Sequence, residues 1–579
     1  MKIFTHSKTS DQDYTLYAFV FLVAIGARIL FLVWIDEPIL FFKYPYFADK
    51  LCQGKDIGER LIDLSPFYLY FLTLFKKVFG ADWAFIKFFQ SFLGSLISLL
   101  ILSLGRRLFQ KTAGLLAALI YALYGNVIIL ESTLEPTVFI LLFNLLAIYF
   151  LFLIKDHFRS SSQSMVLTLA SGFFVGLSII TKPNALLFLP LGIGWLLFFQ
   201  AGTLTVNKRL AQTLIFCASA LAVVAPVTIR NYAKLNDFVL VTADAGKVFY
   251  HGNSQSAKAL DRATLPDIDL IVEGNTEPDF AHVLFRKTAG KLTGKVISPS
   301  ESSHFWIGRT LSDIYDDPPK YIRRTLKKLV FFFTDYEVHY IASAHTEYKQ
   351  SLSFPLVRYG IIGSLGILGM LLGLKRFRQL FLVYGTVGIY LSACLLFLVQ
   401  SRYRTPAVPY LCLFSGSAIC SLREMIGDRK LKSLWLSLLA GTIFFFLSHL
   451  AFRSEIAKQD QWQEATKIHY QMRARPSHNR GRYGEAILEL NRCLSIVPNF
   501  IPGLNLRGKA YAMLSQYEKA EMDFRRVISL SPRSPQGYRN MGFIYLVQGE
   551  KNKARSYLTR AFVLAPGDKQ VKDALDVLR

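Results

Sequence analysis

Apolar residues along this chain gather into long runs and do not alternate with polar ones. A helix needs about 20 apolar residues to cross the hydrocarbon core of a bilayer. Runs near that length fall at 14–34, 84–104, 112–130, 137–154, 165–180, 185–199, 210–226, 356–374, 380–399, 406–420 and 434–452. They predict an all-α chain with about eleven transmembrane spans. No small-residue cleavage site follows the first run, which is read as a retained helix and not a removed signal. From residue 483 onward the pattern changes. Ala486, Ala520 and Ala554 are spaced 34 apart, as are Pro498, Pro532 and Pro566, and Gly508 pairs with Gly542 and Tyr511 with Tyr545 at the same interval. Small residues at that period let paired helices approach, and proline ends each pair. One half repeat and two full repeats predict a C-terminal α-solenoid. The expected organisation is a membrane domain over 1–455, a linker over 456–482 and a repeat domain over 483–579.

The polar segments between the runs orient the chain. Arg106, Arg107 and Lys111 follow the second run, Lys155 and Arg159 the fourth, Lys208 and Arg209 the sixth, Lys375, Arg376 and Arg378 the eighth, and Arg423, Arg429, Lys430 and Lys432 the tenth. The positive-inside rule puts these loops and the N-terminus in the cytoplasm. The loops 36–83 and 228–355 then face outward with the turns 131–136, 181–184 and 400–405, and an odd number of spans sends the repeat domain outward too.

Composition supports this picture. Hydrophobic residues make up 52% of the chain and charged ones 18%, with a mean hydropathy of +0.33, which is too apolar for a soluble protein of this length. The net charge of +25 sits largely in short loops. It points to topology and to anionic lipid or phosphate head groups, not to nucleic acid. The six cysteines match neither a zinc site nor a disulfide framework. Gly172 and Gly176, four apart, suit a close helix crossing.

Most of the candidate chemistry lies on the outward side. Asp36 and Glu37 stand where the first span meets the interface, and a carboxylate there is costly to desolvate without a task or a partner. Glu131 and Glu135 lie in the turn after the third span. Two such acidic turns facing one cavity could hold a general base with a helper, or a divalent cation. Lys182, Arg230 beside Asn231, and Arg402 and Arg404 occupy outer edges. The inside rule does not account for Arg402 or Arg404, and guanidinium forks suit phosphate oxygens. Residues 321–333 mix basic and apolar positions at helical spacing, as expected of a helix lying on the membrane surface or of a lid.

An ordered set of short motifs adds a resemblance. It runs from Ser65-Pro66-Phe67-Tyr68 through Thr181-Lys182-Pro183-Asn184, Arg230-Asn231-Tyr232 and Tyr250-His251-Gly252-Asn253 to Ser401-Arg402-Tyr403-Arg404-Thr405-Pro406. In order and spacing, over about residues 14–450, the chain resembles bacterial GT-C glycosyltransferases of the protein O-mannosyltransferase and aminoarabinose-transferase type, with repeats that resemble tetratricopeptide repeats. The resemblance implies an inner-membrane enzyme. It would transfer a sugar, with inversion, from a polyprenyl-phosphate-linked donor to a protein, lipid or polysaccharide acceptor at the external face. It also implies a catalytic base in the first external loop, for which Asp36 is the candidate, supported by Glu131 and Glu135. Lys182, Arg230, Asn231, Arg402 and Arg404 become donor binders, and no cofactor is called for. The chain departs from the pattern at Leu40, where an Asp is usual, and at Lys182, where Arg is usual. Partners would be membrane lipids and a protein docked on the repeats. Alternatives are a non-catalytic envelope scaffold, which the Leu40 departure favours, and a transporter of lipid-linked saccharide.

Overall fold

The computed structural model describes residues 11–34, 43–80, 82–154, 161–200, 205–257, 281–337, 356–450, 461–462 and 464–578. They are helical, and among them the only β-type pairing is one bridge between Tyr124 and Val357. They fall into two compact units. The first takes in the described residues within 1–263, 297–340 and 353–451, and the second those within 264–296 and 452–579.

The helices of the first unit are α1 (Asp11–Trp34), α2 (Lys43–Cys52), α3 (Pro66–Phe79), α4 (Trp83–Leu108), α5 (Lys111–Ala122), α6 (Gly125–Ser132), α7 (Thr137–Ile154), α8 (Ser161–Thr181), α9 (Phe188–Gly194), α10 (Val206–Leu235), α11 (Ala245–Asn253), α12 (Pro299–Asp316), α13 (Pro318–Phe333), α14 (Tyr359–Gly373), α15 (Phe377–Leu396), α16 (Val408–Gly427) and α17 (Leu431–Leu450). Seven helical stretches are long and apolar enough to cross a membrane, and the apolar helices Lys111–Ala122, Pro183–Phe199 and Leu431–Leu447 are shorter. The chain is thus a multi-pass membrane protein, but the expected eleven full-length spans are not all present as such. The run 112–130 breaks between α5 and α6, because Val357 inserts there. Its N–H donates to Leu123 O (2.9 Å) and its carbonyl accepts from Gly125 N–H (3.3 Å). The run 185–199 is assembled from a 3-10 turn, α9 and a π-helical turn at Trp195–Phe199. The expected spans at 356–374 and 380–399 are α14 and α15, joined by a 3-10 turn at Leu374–Arg376.

Small residues and buried polar pairs hold the helices together. A side chain at Gly172 or Gly176 would strike the α10 backbone at Phe216 or Ala220, so these glycines admit the α8–α10 crossing as the sequence suggested. Ser178 Oγ donates to Asn144 Oδ1 (2.6 Å), and Asn144 Nδ2 donates to Tyr390 Oη (2.5 Å), which ties α7, α8 and α15.

Helix ends leave carbonyls unsatisfied and carry partial negative charge, and several buried cations of this unit are found there. Arg28 reaches Ala122 O at the end of α5. Arg324 binds Asn253 O, Ser254 O and Ala257 O after α11. Lys328 binds Leu395 O and Phe397 O at the end of α15, and Asn253 Oδ1. In α13 the basic Arg324 and Lys328 are therefore buried while the apolar Ile322 and Leu326 are exposed. That is the reverse of a soluble amphipathic helix, and it suits a helix whose outer side meets lipid.

The second unit contains a helix at Ala281–Thr293 and the repeats: α18 (Tyr483–Ile496), α19 (Ile501–Met513), α20 (Tyr517–Leu530), α21 (Pro535–Val547), α22 (Lys551–Leu564) and α23 (Lys569–Val577). The 34-residue period has a direct physical cause. Ala486, Ala520 and Ala554 are fully buried, and a side chain at Gly508 or Gly542 would strike Phe524 or Leu558 of the following helix. Within 456–482, expected as a linker, residues 464–479 are helical. Ala474 packs there with Ala486 and Leu490, which completes the half repeat.

Candidate functional site

The Ser65-Pro66-Phe67-Tyr68 motif starts α3, with Pro66 at the first helical position, where its missing N–H costs nothing. Its two polar ends are fixed. Ser65 N–H donates to Tyr44 Oη (3.1 Å), and Tyr68 Oη donates to Gln90 Oε1 of α4 (2.6 Å). Gln90 in turn donates from Nε2 to Glu131 O and Thr133 O, both at 2.8 Å. Tyr44 and Tyr68 meet edge to face at 5.0 Å. A buried polar chain thus runs from α2 through α3 and α4 to the turn that carries Glu135.

Glu135 is nearly buried and accepts from Arg402 Nη1 at 3.0 Å. Arg402 also donates to Gln400 Oε1 (3.3 Å) and Tyr403 Oη (3.3 Å), and its side chain keeps 17% of its surface exposed. Lys182, in the short extended link after α8, places its ammonium 4.0 Å from the centre of the Tyr403 ring, a favourable cation–π arrangement. Burial pushes the Lys182 ammonium down to about 8; the Tyr403 hydroxyl and Glu135 oppose the shift, and Arg402 adds to it. Burial likewise pushes the Tyr44 phenol up to about 12, with Glu135 and Arg402 within its field. In the same turn as Lys182, the buried Asn184 Oδ1 has no partner among the described residues. Glu135, Lys182, Arg402, Tyr403 and Tyr44 therefore form one cluster. It joins two cations, one carboxylate and two phenols, with Arg402 still open to solvent.

The other expected site residues are placed elsewhere. Asp36 lies outside the described residues, as do Glu37 and Leu40. Asp49, the next acid along, pairs with Lys76 of α3. Glu131 is fully buried and held by Arg28 of α1, with Nε to Oε2 at 2.6 Å and Nη2 to Oε1 at 3.2 Å. The α4 backbone approaches that carboxylate so closely that a side chain at Gly94 would collide with it. Arg404, 1% exposed, binds Glu337 (2.9 Å) and four carbonyls around the end of α13, those of Phe331, Phe332, Thr334 and Tyr336. Asn231 donates to Val239 O (2.8 Å) and Val241 O (3.1 Å), and Arg230 donates to Asn231 Oδ1 and Tyr70 Oη. Among the described residues no hydrogen bond or ion pair joins Arg230 to the Lys182–Arg402 cluster.

Sequence reasoning missed Arg28, Gln90, Tyr44 and Tyr403. Arg28 carried a signal, a lone arginine within an apolar run, which should always prompt a search for a buried partner. Tyr403 lay within the 401–406 motif, between the two arginines that drew attention, and Gln90 and Tyr44 carried no signal. Among the described residues no group of three or more His, Cys, Asp or Glu side chains could hold a metal ion.

Comparison with known proteins bears on this arrangement. Residues 63–229 match the model of the dolichyl-phosphate-mannose-protein mannosyltransferase family, and residues 501–534 match that of the tetratricopeptide repeat. The first match takes in Glu131, Glu135 and Lys182 and stops short of Arg230, Asn231, Arg402 and Arg404. The two matches bear out the resemblance to GT-C glycosyltransferases with appended tetratricopeptide repeats. No curated protein matches. Among solved structures, the oligosaccharyltransferase of Archaeoglobus fulgidus in its apo form is 11% identical, with a TM-score of 0.43 over 80% of this chain and 58% of that one. The archaeal oligosaccharyltransferase AglB from Archaeoglobus fulgidus, in complex with an inhibitory peptide and a dolichol-phosphate, is 12% identical, with a TM-score of 0.43 over 79% and 58%. This chain thus spans less than two thirds of the length of those proteins.

Proposed function

We propose that this protein is a membrane glycosyltransferase that moves a sugar from a polyprenyl-phosphate-linked donor to an acceptor hydroxyl on the external face of a bacterial inner membrane. The observation that carries the reading is the Glu135–Arg402–Lys182–Tyr403 cluster, which sits in turns that the basic-loop rule assigns to the outside. Two cations beside one carboxylate, half-shielded from water, suit a phosphate group whose negative charge grows as it leaves. Glu135, Gln400 and Tyr403 hold the Arg402 guanidinium in place, and a donor phosphate would compete with the neutral Gln400 and Tyr403 oxygens for it. In the proposed step, Asp36 takes the acceptor proton as the acceptor oxygen bonds to the anomeric carbon. The carbon–oxygen bond to phosphate breaks, the configuration inverts, and polyprenyl phosphate departs with its charge balanced by Lys182 and Arg402. The scheme requires no cofactor, since the two side chains supply the positive charge that a divalent cation would otherwise add. Glu131, Arg230, Asn231 and Arg404 hold the surrounding helices and turns in place. The repeats recruit or orient the acceptor, or an envelope-assembly partner.

The test is transfer from labelled polyprenyl-phosphate sugars to an envelope extract by the purified full chain. Asp36→Asn should lower transfer about 10²–10⁴-fold. Full activity in that variant would remove Asp36 as the base. No transfer by the wild type with any donor would leave the scaffold reading that Leu40 favours.

A further inference from the structure

A second basic site lies on the opposite side of the first unit, among the loops that the charge pattern assigns to the cytoplasm. A cavity of about 150 Å³ is lined there by Arg107, Arg376, Arg378, Phe152, Trp195 and Phe199. Its walls are the ends of four elements: the last turn of α4, the last turn of α7, the π-helical turn Trp195–Phe199 and the start of α15. All four are ends of apolar helices, so the cavity opens at head-group depth. Its lining combines basic and aromatic side chains. Trp195 is buried, and Phe199 stacks on Phe381 at 3.8 Å with the rings 8° from parallel. Arg376 is anchored by Nη2 to Leu108 O (2.6 Å) and by Nε to Gln379 Oε1 (3.2 Å). Arg378 has no partner among the described residues. The π-helical turn that supplies Trp195 and Phe199 is of a rare kind, frequent at functional sites.

We propose that this cavity binds the phosphate of an anionic phospholipid from the cytoplasmic leaflet. The guanidinium groups of Arg376 and Arg378 are opposite in sign to a phosphodiester and suit its oxygens in hydrogen-bond geometry, and Arg107 adds to the positive field. The aromatic wall gives the glycerol and the first acyl carbons an apolar surface, which a soluble anion would not need. The cavity has room for a phosphate group. Basic pockets between transmembrane helices at this level are the known setting for such head groups. The site is separate from the external cluster and its occupancy does not depend on sugar transfer.

The experiment places the purified full chain in nanodiscs of equal phosphatidylglycerol and phosphatidylcholine and counts the lipids retained on release by native mass spectrometry. The wild type should retain phosphatidylglycerol about tenfold over phosphatidylcholine. Arg376→Gln/Arg378→Gln should abolish the preference, and Arg378→Gln alone should cut it about fivefold without disturbing the Arg376–Leu108 anchor. Arg423→Gln, which removes one charge elsewhere on the same side, should leave it unchanged. Equal retention of both lipids by the wild type would overturn the proposal. So would a loss in Arg423→Gln as large as in Arg378→Gln, because that marks a diffuse field. Displacement of the retained lipid by millimolar inorganic phosphate would also overturn it, in favour of a soluble anion.

Discussion

The turn around Arg402 and the girdle around Arg404 are made of the same material, arginines two positions apart, and they hold it differently. Arg404 is fully enclosed, with Glu337 and four backbone carbonyls as acceptors. Arg324 and Lys328 extend the same girdle over the ends of α11 and α15. Arg402 has one carboxylate and two neutral oxygens, faces Lys182 across the Tyr403 ring, and keeps part of its surface. A cation surrounded by carbonyls has its electrostatic needs met inside the protein and fixes the fold. One that shares a single carboxylate with a second cation has less than a full opposing charge set against it, which favours an incoming anion. Position near the outer edge does not separate the two cases; enclosure and the local balance of charge do.

Four measurements break or sharpen that contrast. The largest effect is expected for Arg404→Ala, which leaves Glu337 with only the Tyr124 hydroxyl as a partner among the described residues and frees the carbonyls at the end of α13. Removing one partner of a buried charge pair costs about 3–5 kcal/mol, seen as a lowered thermal unfolding midpoint in detergent. Arg404→Lys should not restore it, because an ammonium has three donors and the site has five acceptors. Arg402→Ala should leave the unfolding midpoint far closer to wild type, because Lys182 still lies in the field of Glu135, while transfer falls about 10²–10³-fold. A midpoint as low as that of Arg404→Ala would erase the distinction.

The third test uses pH. The Lys182 ammonium is held down at about 8, so it is charged below that pH and loses its proton as pH rises through it. Donor KM should be flat below pH 8 and climb above it, up to about tenfold per pH unit. Lys182→Arg should remove the climb, since guanidinium does not titrate there. A climb that persists in Lys182→Arg would assign the titration to another group. The smallest effect belongs to Tyr403→Leu. The ring faces both Lys182 and Arg402, and losing each cation–π contact at a partly exposed site is worth about 0.5–1 kcal/mol, a rise in donor KM of about two- to fivefold for each with little change in unfolding.

Legibility from the sequence followed the range of the interactions. The repeats were readable because each cause lies within one period: Gly508 faces Phe524 and Gly542 faces Leu558. The spans were readable because bilayer thickness acts on local composition. The break in the run 112–130 was not, because nothing in that run announces Val357, whose backbone closes the bridge. The division between Arg402 and Arg404 was equally hidden. Both sit in one hexapeptide, and the carbonyls that enclose Arg404 come from residues 68–73 positions earlier. The outer acids, Glu131 and Glu135, looked alike in sequence, and their partners, Arg28 and Arg402, lie in opposite directions along the chain.

The Arg28–Glu131 pair also sets a constraint on how the protein is made. Arg28 enters the bilayer within the first helix, and its partner is encoded 103 residues later. At about 5–20 residues per second, synthesis takes on the order of 5–20 s to deliver it. Through that interval α1 carries an uncompensated guanidinium, a cost of about 2.5–3.5 kcal/mol for a helix at the insertion machinery. Integration of the first segment is therefore provisional until α6 arrives, and a ribosome stalled before that point would hold a nascent chain whose leading helix can still slip back.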